Sequence, residues 1–68
     1  METILAILLY LHLIVSPGTY KQSYINQLYN DNQPKITQVE NDPAQMQIVN
    51  EQYMPQVSQI IIINDTGE

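Results

Sequence analysis

Apolar side chains are concentrated in two continuous runs, one near each end of the chain. The first run, Ile4 to Val15, is interrupted only by the polar groups of Tyr10 and His12. The second run is a block of four consecutive isoleucines, Ile60 to Ile63. A segment that is apolar on every side must be surrounded by lipid or by protein, so both runs need cover.

The first run predicts a helix. It is rich in leucine, which favours helices, and it lacks the strict alternation of a half-buried strand. Pro17 cannot donate a backbone N–H to a continuing helix, and Gly18 suits a chain reversal. The predicted helix therefore runs from Ile4 to Val15.

Three interpretations of this helix remain open: a membrane anchor, a helix buried within a multi-chain assembly, and a cleaved leader. At about 1.5 Å per residue, Met1 to Ser16 spans roughly 24 Å, which is short against a hydrocarbon core of about 30 Å. Small residues before Thr19 suit a leader, but Glu2 and the absence of a cation before the apolar run do not. We predict the membrane anchor, residues 1–18. Its lipid-facing side chains are Ile4, Leu5, Ile7, Leu8, Leu9, Leu11, Leu13, Ile14 and Val15.

His12 has two interpretations. It could carry protons or bind a metal within a membrane. However, the chain has no second histidine, and no carboxylate lies three or four residues away. We therefore expect His12 to lie near a helix end, with Tyr10 as an interfacial aromatic side chain.

Residues 19–68 form an amide-rich tail in this prediction, beginning with a helix over about 19–30. Tyr20, Tyr24 and Leu28 recur at four-residue spacing, and Thr19 is a candidate N-cap. The tyrosines suit docking at a membrane surface or on another subunit, although they could also close a local apolar patch.

Two further elements are predicted in the middle of the tail. Lys35–Glu40 is a weak strand candidate because it contains two β-branched aliphatic residues and a threonine. A helix follows over about 43–53, with Asp42 as N-cap and Pro43 at its first position. Its apolar stripe, which includes Met46, is narrow and typical of a packing seam.

The isoleucine block predicts a strand over about 56–63. Four β-branched residues without charge or proline would aggregate if left unpaired. The strand either joins the sheet of a larger partner or pairs with Lys35–Glu40, and we predict the partner because two strands alone are marginally stable. The predicted partner-binding residues are Tyr20, Tyr24, Leu28, Tyr29, Val57, Ile60, Ile61, Ile62 and Ile63.

Composition restricts the chemistry. The 68 residues include no cysteine, so disulfides and thiolate metal sites are excluded. Seven acidic residues against two lysines give a net charge of -5, which argues against a nucleic-acid partner. Two glycines are too few for a phosphate-binding loop.

No catalytic constellation is visible either. The single histidine lies in the apolar run, so Ser16, Ser23 and Ser58 lack a candidate base. Glu40 and Asp42 are explained by a solvated loop beside a helix start. We predict no catalytic, cofactor-binding or metal-binding residues, no cofactor and no small-molecule substrate.

Together these features predict a mainly α, non-globular chain: an N-terminal membrane helix, a tail with one or two short helices, and a C-terminal strand ordered by partners. Its expected role is a non-enzymatic structural or accessory subunit, bound to larger protein subunits and a bilayer. This layout resembles minor single-span proteins of membrane-containing virions and supernumerary subunits of membrane complexes. Lys21 weakly favours a cytoplasmic or interior tail. The alternative is an exported binding or inhibitory module with a cleavable leader.

Overall fold

Residues 2–65, which the computed structural model describes, are mainly helical and include one small parallel sheet. The α-helices are α1 (Glu2–Tyr10), α2 (Gln22–Asp31), α3 (Gln33–Glu40) and α4 (Pro43–Ile48). A π-helical segment (Val49–Tyr53) and a 3-10 helix (Met54–Gln59) follow α4 without a break. The strands are β1 (Gly18–Lys21) and β2 (Ile60–Ile63). The predicted mainly α class is confirmed.

One apolar core joins both parts of the chain. It is formed by Leu5, Ala6, Ile7, Leu8, Leu9, Ile14, Ile25, Ile36, Val39, Val49 and Val57. Helix α1 packs against α3, the π-helical segment and the 3-10 helix. The prediction separated residues 1–18 from a non-globular tail, but the tail packs around the N-terminal helix. Met1 and residues 66–68, at the ends of these two predicted parts, lie outside the described residues.

Helix α1 is shorter than predicted, because it ends at Tyr10 rather than Val15. His12 has a φ of 63°, in the left-handed region. The N–H of Leu13 donates to the carbonyl of Leu8 at 2.9 Å, and that of His12 donates to Leu9 at 3.0 Å. This pair of bonds is a Schellman motif, which reverses the chain while satisfying carbonyls at the helix end. Within residues 2–65, no helix is both long and apolar enough to cross a membrane.

The predicted strand Lys35–Glu40 is wrong, because this segment forms most of α3. Pro34 lies in the first helical turn, where its missing N–H costs nothing. Ile36 and Val39, three residues apart, share one helix face and are both buried. Burial of that face outweighs the strand preference of β-branched residues.

The predicted helix over about 43–53 is helical throughout, but its winding changes. Asp42 is the N-cap, as predicted, and its carboxylate accepts hydrogen bonds from the backbone N–H groups of Ala44 and Gln45. The α-helical part ends at Ile48, and the next five residues are wound as a π-helix.

Two other predicted boundaries are wrong by a few residues. The helix predicted from residue 19 begins at Gln22, because Thr19 lies in β1 and is not its cap. The strand predicted over about 56–63 is limited to Ile60–Ile63, since residues 56–59 end the 3-10 helix. The isoleucine strand pairs with β1, and neither predicted partner, Lys35–Glu40 nor a second protein, is needed for that pairing.

Candidate interaction surface

The two faces of the parallel sheet differ in exposure. The strands align from Gly18 beside Ile60 to Lys21 beside Ile63. Alternate residues point to opposite faces, and one face packs against the core. On the other face, 62% of Ile61 and 50% of Ile63 is exposed. Parallel sheets are normally covered on both faces, so this apolar face is unusual in being open.

Strand β2 also has an open edge. Within the described residues, the sheet contains only β1 and β2, so each strand has one neighbour. Natural edge strands are commonly protected by charged side chains, proline or bulges. Ile60–Ile63 carries none of these. We call the free edge of β2, with Ile61 and Ile63, the isoleucine edge.

Strand β1, the single neighbour of β2, is held in place by Tyr20. Its hydroxyl donates to the carbonyl of Val15 at 2.6 Å and accepts from the N–H of Val15 at 2.9 Å. The Tyr20 ring lies so close to Gly18 that a Cβ there would approach its Cε2 atom at 2.8 Å. Tyr24 of α2 stacks on the same ring, with centroids 6.0 Å apart. Tyr20 therefore fixes β1 to both flanking segments.

Asp65 attaches the segment after β2 to helix α2. Its Oδ1 accepts from the backbone N–H of Ser23 at 2.9 Å, and its Oδ2 accepts from the Ser23 hydroxyl at 2.8 Å. The N–H belongs to the first turn of α2, where such groups have no intrahelical partner. These two bonds, aided by the charge of Lys21, hold the pKa of Asp65 below its usual value of 3.8. Asp65 thus serves as a cap from a distant part of the chain.

The predicted partner-binding residues fall into two groups. Ile61, Ile63, Tyr24 and Tyr29 are exposed. The others pack against the core or belong to it, and they are Tyr20, Leu28, Val57, Ile60 and Ile62. Tyr24 adjoins the sheet through its stack on Tyr20. The exposed set available to a partner is therefore smaller than the predicted one.

Most of the predicted membrane-anchor residues lie in the core. The buried ones are Leu5, Ile7, Leu8, Leu9 and Ile14. Ile4, Leu11 and Leu13 are partly buried and pack against them. Val15 is the exception, with 70% of its surface exposed. In this structure, other segments of the same chain surround the apolar helix, which differs from burial in lipid and from burial by other subunits.

A polar chain that the sequence does not reveal ties α1 to α4. The Tyr10 hydroxyl donates to Oε1 of Gln45 at 2.9 Å, and Nε2 of Gln45 donates to Oδ2 of Asp42 at 2.9 Å. The Gln45 bond also holds the pKa of Asp42 below its usual value of 3.8. Tyr53 meets Tyr10 edge to face, with ring centroids 5.7 Å apart. Of this network, the sequence predicts the N-cap at Asp42 but not its connection through Gln45 to Tyr10.

The arrangement provides few means for chemistry. Among residues 2–65, no group of three potential metal ligands is close enough to hold a metal ion, and no ligand-sized cavity is present. His12 is exposed at the left-handed turn after α1. The isoleucine edge is therefore the candidate functional site. Comparisons with protein-family models, curated proteins and solved structures find no match to this chain.

Proposed function

We propose that this chain is a non-enzymatic accessory subunit that binds a larger protein by accepting a β-strand at the isoleucine edge. Strand addition supplies affinity through backbone hydrogen bonds and specificity through alternate side chains. The observation that carries this proposal is the unprotected edge of β2, next to an open apolar face.

The energetics of the sheet support this role. A two-stranded sheet alone is marginally stable in water, and here only one of its faces is packed against the core. A third strand would pair with β2 along the edge that has no neighbouring strand among the described residues. Side chains of that strand would also cover Ile61 and Ile63, so binding would remove exposed apolar surface from water.

Co-purification of the tagged full-length chain from its source cells tests the proposal. The test variant carries Ile61→Asp and Ile63→Asp, because both side chains point away from the core. The control is Ile48→Asp, which places one such charge at an exposed position of α4, outside the sheet. We expect the test variant to lose its associated protein by about tenfold or more, as buried unpaired charges cost several kcal/mol. Equal recovery with all three chains would contradict strand addition, provided circular dichroism shows equal helicity.

Membrane anchoring by residues 1–18 is a second candidate role, and the continuous apolar run from Ile4 to Val15 favours it. For this role, Leu5–Leu9 would have to leave the protein core and insert into lipid. Flotation with anionic and neutral lipid vesicles tests this role: co-flotation of the full chain with altered α1 amide exchange supports it. A chain that stays at the bottom with α1 protected would contradict it.

The alternative of an exported module with a cleaved leader affects the apolar core. Loss of a leader ending near Gly18 would remove six of the eleven core residues, namely Leu5, Ala6, Ile7, Leu8, Leu9 and Ile14. A mature chain beginning at Thr19 would therefore need a different core. Intact-mass measurement of the chain from its source cells distinguishes this alternative from the other two.

A further inference from the structure

The chemistry of the strand that binds the isoleucine edge can be inferred, and this inference rests on the proposed function. Two occupants are possible in principle: a second copy of this chain or a different protein. The area of the edge and the charge of the chain distinguish between these two occupants. The alternation of side chains in β2 indicates which residues the bound strand carries.

The available area argues against a second copy. A four-residue strand is about 13 Å long. A stable interface buries about 800 Å² on each partner, which is roughly a fifth of the 4395 Å² that the described chain exposes. Pairing of two such short edges covers much less than this. A partner with a larger surface can cover the open sheet face as well as the edge.

Charge argues in the same direction. The chain has seven carboxylates and two lysines, so at least five carboxylates have no side-chain cation of their own. Two copies would each bring a net charge of -5 and would repel each other. A basic partner would instead be attracted.

The charges around β2 are unevenly placed. The preceding 3-10 helix, Met54–Gln59, has no charged residue, whereas Asp65 and Glu68 follow the strand in the sequence. The exposed Lys21 of β1 lies beside Ile63. Asp65 uses one hydrogen bond on each carboxylate oxygen. A carboxylate has about four acceptor positions, so these two bonds do not use all of its acceptor capacity.

The outward side chains define the rest of the partner strand. Ile61 and Ile63 leave apolar surface exposed, while Ile60 and Ile62 on the other face are partly buried. Neighbouring strands place side chains on the same face side by side. A complementary strand therefore carries branched aliphatic residues at alternate positions.

We propose that the isoleucine edge binds a strand from a different, basic protein. This strand has aliphatic side chains beside Ile61 and Ile63, and it carries lysine or arginine because the chain that it binds has a net charge of -5.

Synthetic peptides test the proposal against the full-length chain. The probe peptide alternates valine and threonine and has two lysines at one end, and its twin has two glutamates there. Each peptide is made in two versions, with the charged pair at the N-terminus or at the C-terminus, because a strand could bind the edge in either direction. Fluorescence anisotropy measures affinity, and amide hydrogen exchange by NMR shows whether β2 is protected.

We expect one lysine peptide to bind at least about tenfold more tightly than its glutamate twin and to slow exchange in β2. This preference should decrease between about 0.02 M and about 0.5 M salt, because added ions screen exposed charges. Ile61→Thr with Ile63→Thr keeps β-branched residues and should weaken binding. Ile48→Thr, outside the sheet, should leave it unchanged.

Other outcomes overturn different parts of the inference. If lysine and glutamate peptides protect β2 equally, the basic partner is wrong but strand addition stands. If no peptide protects β2 at any concentration, strand addition itself is wrong. If sedimentation shows a dimer of the chain whose β2 amides are protected without peptide, the second copy is the true occupant.

Discussion

Helix α1 and strand β2 contain the two most apolar runs of the chain, yet they end in different environments. From Leu5 to Leu9, no residue is more than 5% exposed. In β2, Ile61 and Ile63 remain at least half exposed. Both runs are apolar on every side as sequences, but only the first contains a stretch, Leu5–Leu9, that is covered on every side.

Geometry explains this difference. A helix satisfies its own backbone, so neighbouring segments need only to surround it with side chains. Helix α3, the π-helical segment and the 3-10 helix do this for α1. A strand needs a neighbour at each edge and cover on each face. Among residues 2–65, β2 has one neighbouring strand, β1, and one packed face. The unpaired edge and the uncovered face of β2 make it a candidate binding site.

The largest predicted effect comes from truncating the same residue type in each run. Ile7→Ala creates a cavity at a fully buried position and should lower the free energy of unfolding by about 2–5 kcal/mol. Ile61→Ala, at an exposed position, should cost less than about 1 kcal/mol. Urea unfolding measures both. Similar losses would show that β2 is as enclosed as α1.

A smaller effect is expected at the single neighbour of β2. In Gly18→Ala, the new Cβ would lie 2.8 Å from Cε2 of Tyr20, whose hydroxyl is bonded to Val15. The ring must shift, and overpacking of this kind costs about 1–3 kcal/mol. Thermal unfolding of Gly18→Ala, Tyr20→Ala and the double variant gives the coupling between the two sites. If the losses of stability in the two single variants add up in the double variant, the Tyr20 ring is not what resists a side chain at residue 18.

Acid should loosen β2 through Asp65. Because the pKa of Asp65 is lowered in the folded chain, its contribution to stability is complete above the unfolded pKa of 3.8. That contribution is lost as the pH falls through the folded value. We expect amide exchange in β2 to rise relative to α1 as the pH falls below about 4, after correction for intrinsic rates.

The control for this prediction is Asp65→Asn, which removes the titrating group. In that variant, the part of the change that is specific to β2 should disappear. Asp42→Asn, which can still cap α4, should retain the acid-induced change that is specific to β2. Equal acid sensitivity of β2 in all three chains would show that Asp65 does not hold the end of the strand.

The sequence predicts local features of this fold better than its packing. The N-cap at Asp42 and the strand preference of Ile60–Ile63 are local, and both are confirmed. Two β-branched aliphatic residues and a threonine predict a strand at Lys35–Glu40, but Ile36 and Val39 are spaced as on one helix face. That spacing, together with Pro34, was the available signal for a helix.

The candidate site depends on contacts between distant residues. Asp65 reaches Ser23 across 42 positions, and β1 meets β2 across a similar separation. Pairing of this kind leaves no periodic signal in either segment. The sequence therefore indicates that the isoleucines need cover, while the structure shows that residues 2–65 pack one face of β2 and pair one of its edges.

The smallest predicted effect concerns the end of α1. A non-glycine residue in the left-handed region costs about 1–2 kcal/mol, and His12 has a φ of 63°. Glycine removes this cost but loses more entropy on folding, by about 0.5–1 kcal/mol. His12→Gly should therefore raise the free energy of unfolding by about 0.5 kcal/mol. Gln38→Gly, at an exposed position inside α3, should lower it by about 1 kcal/mol. Urea unfolding distinguishes these opposite signs. If His12→Gly is destabilising as well, the imidazole makes a contact that outweighs the backbone strain, and the boundary of α1 is set by more than the Schellman turn.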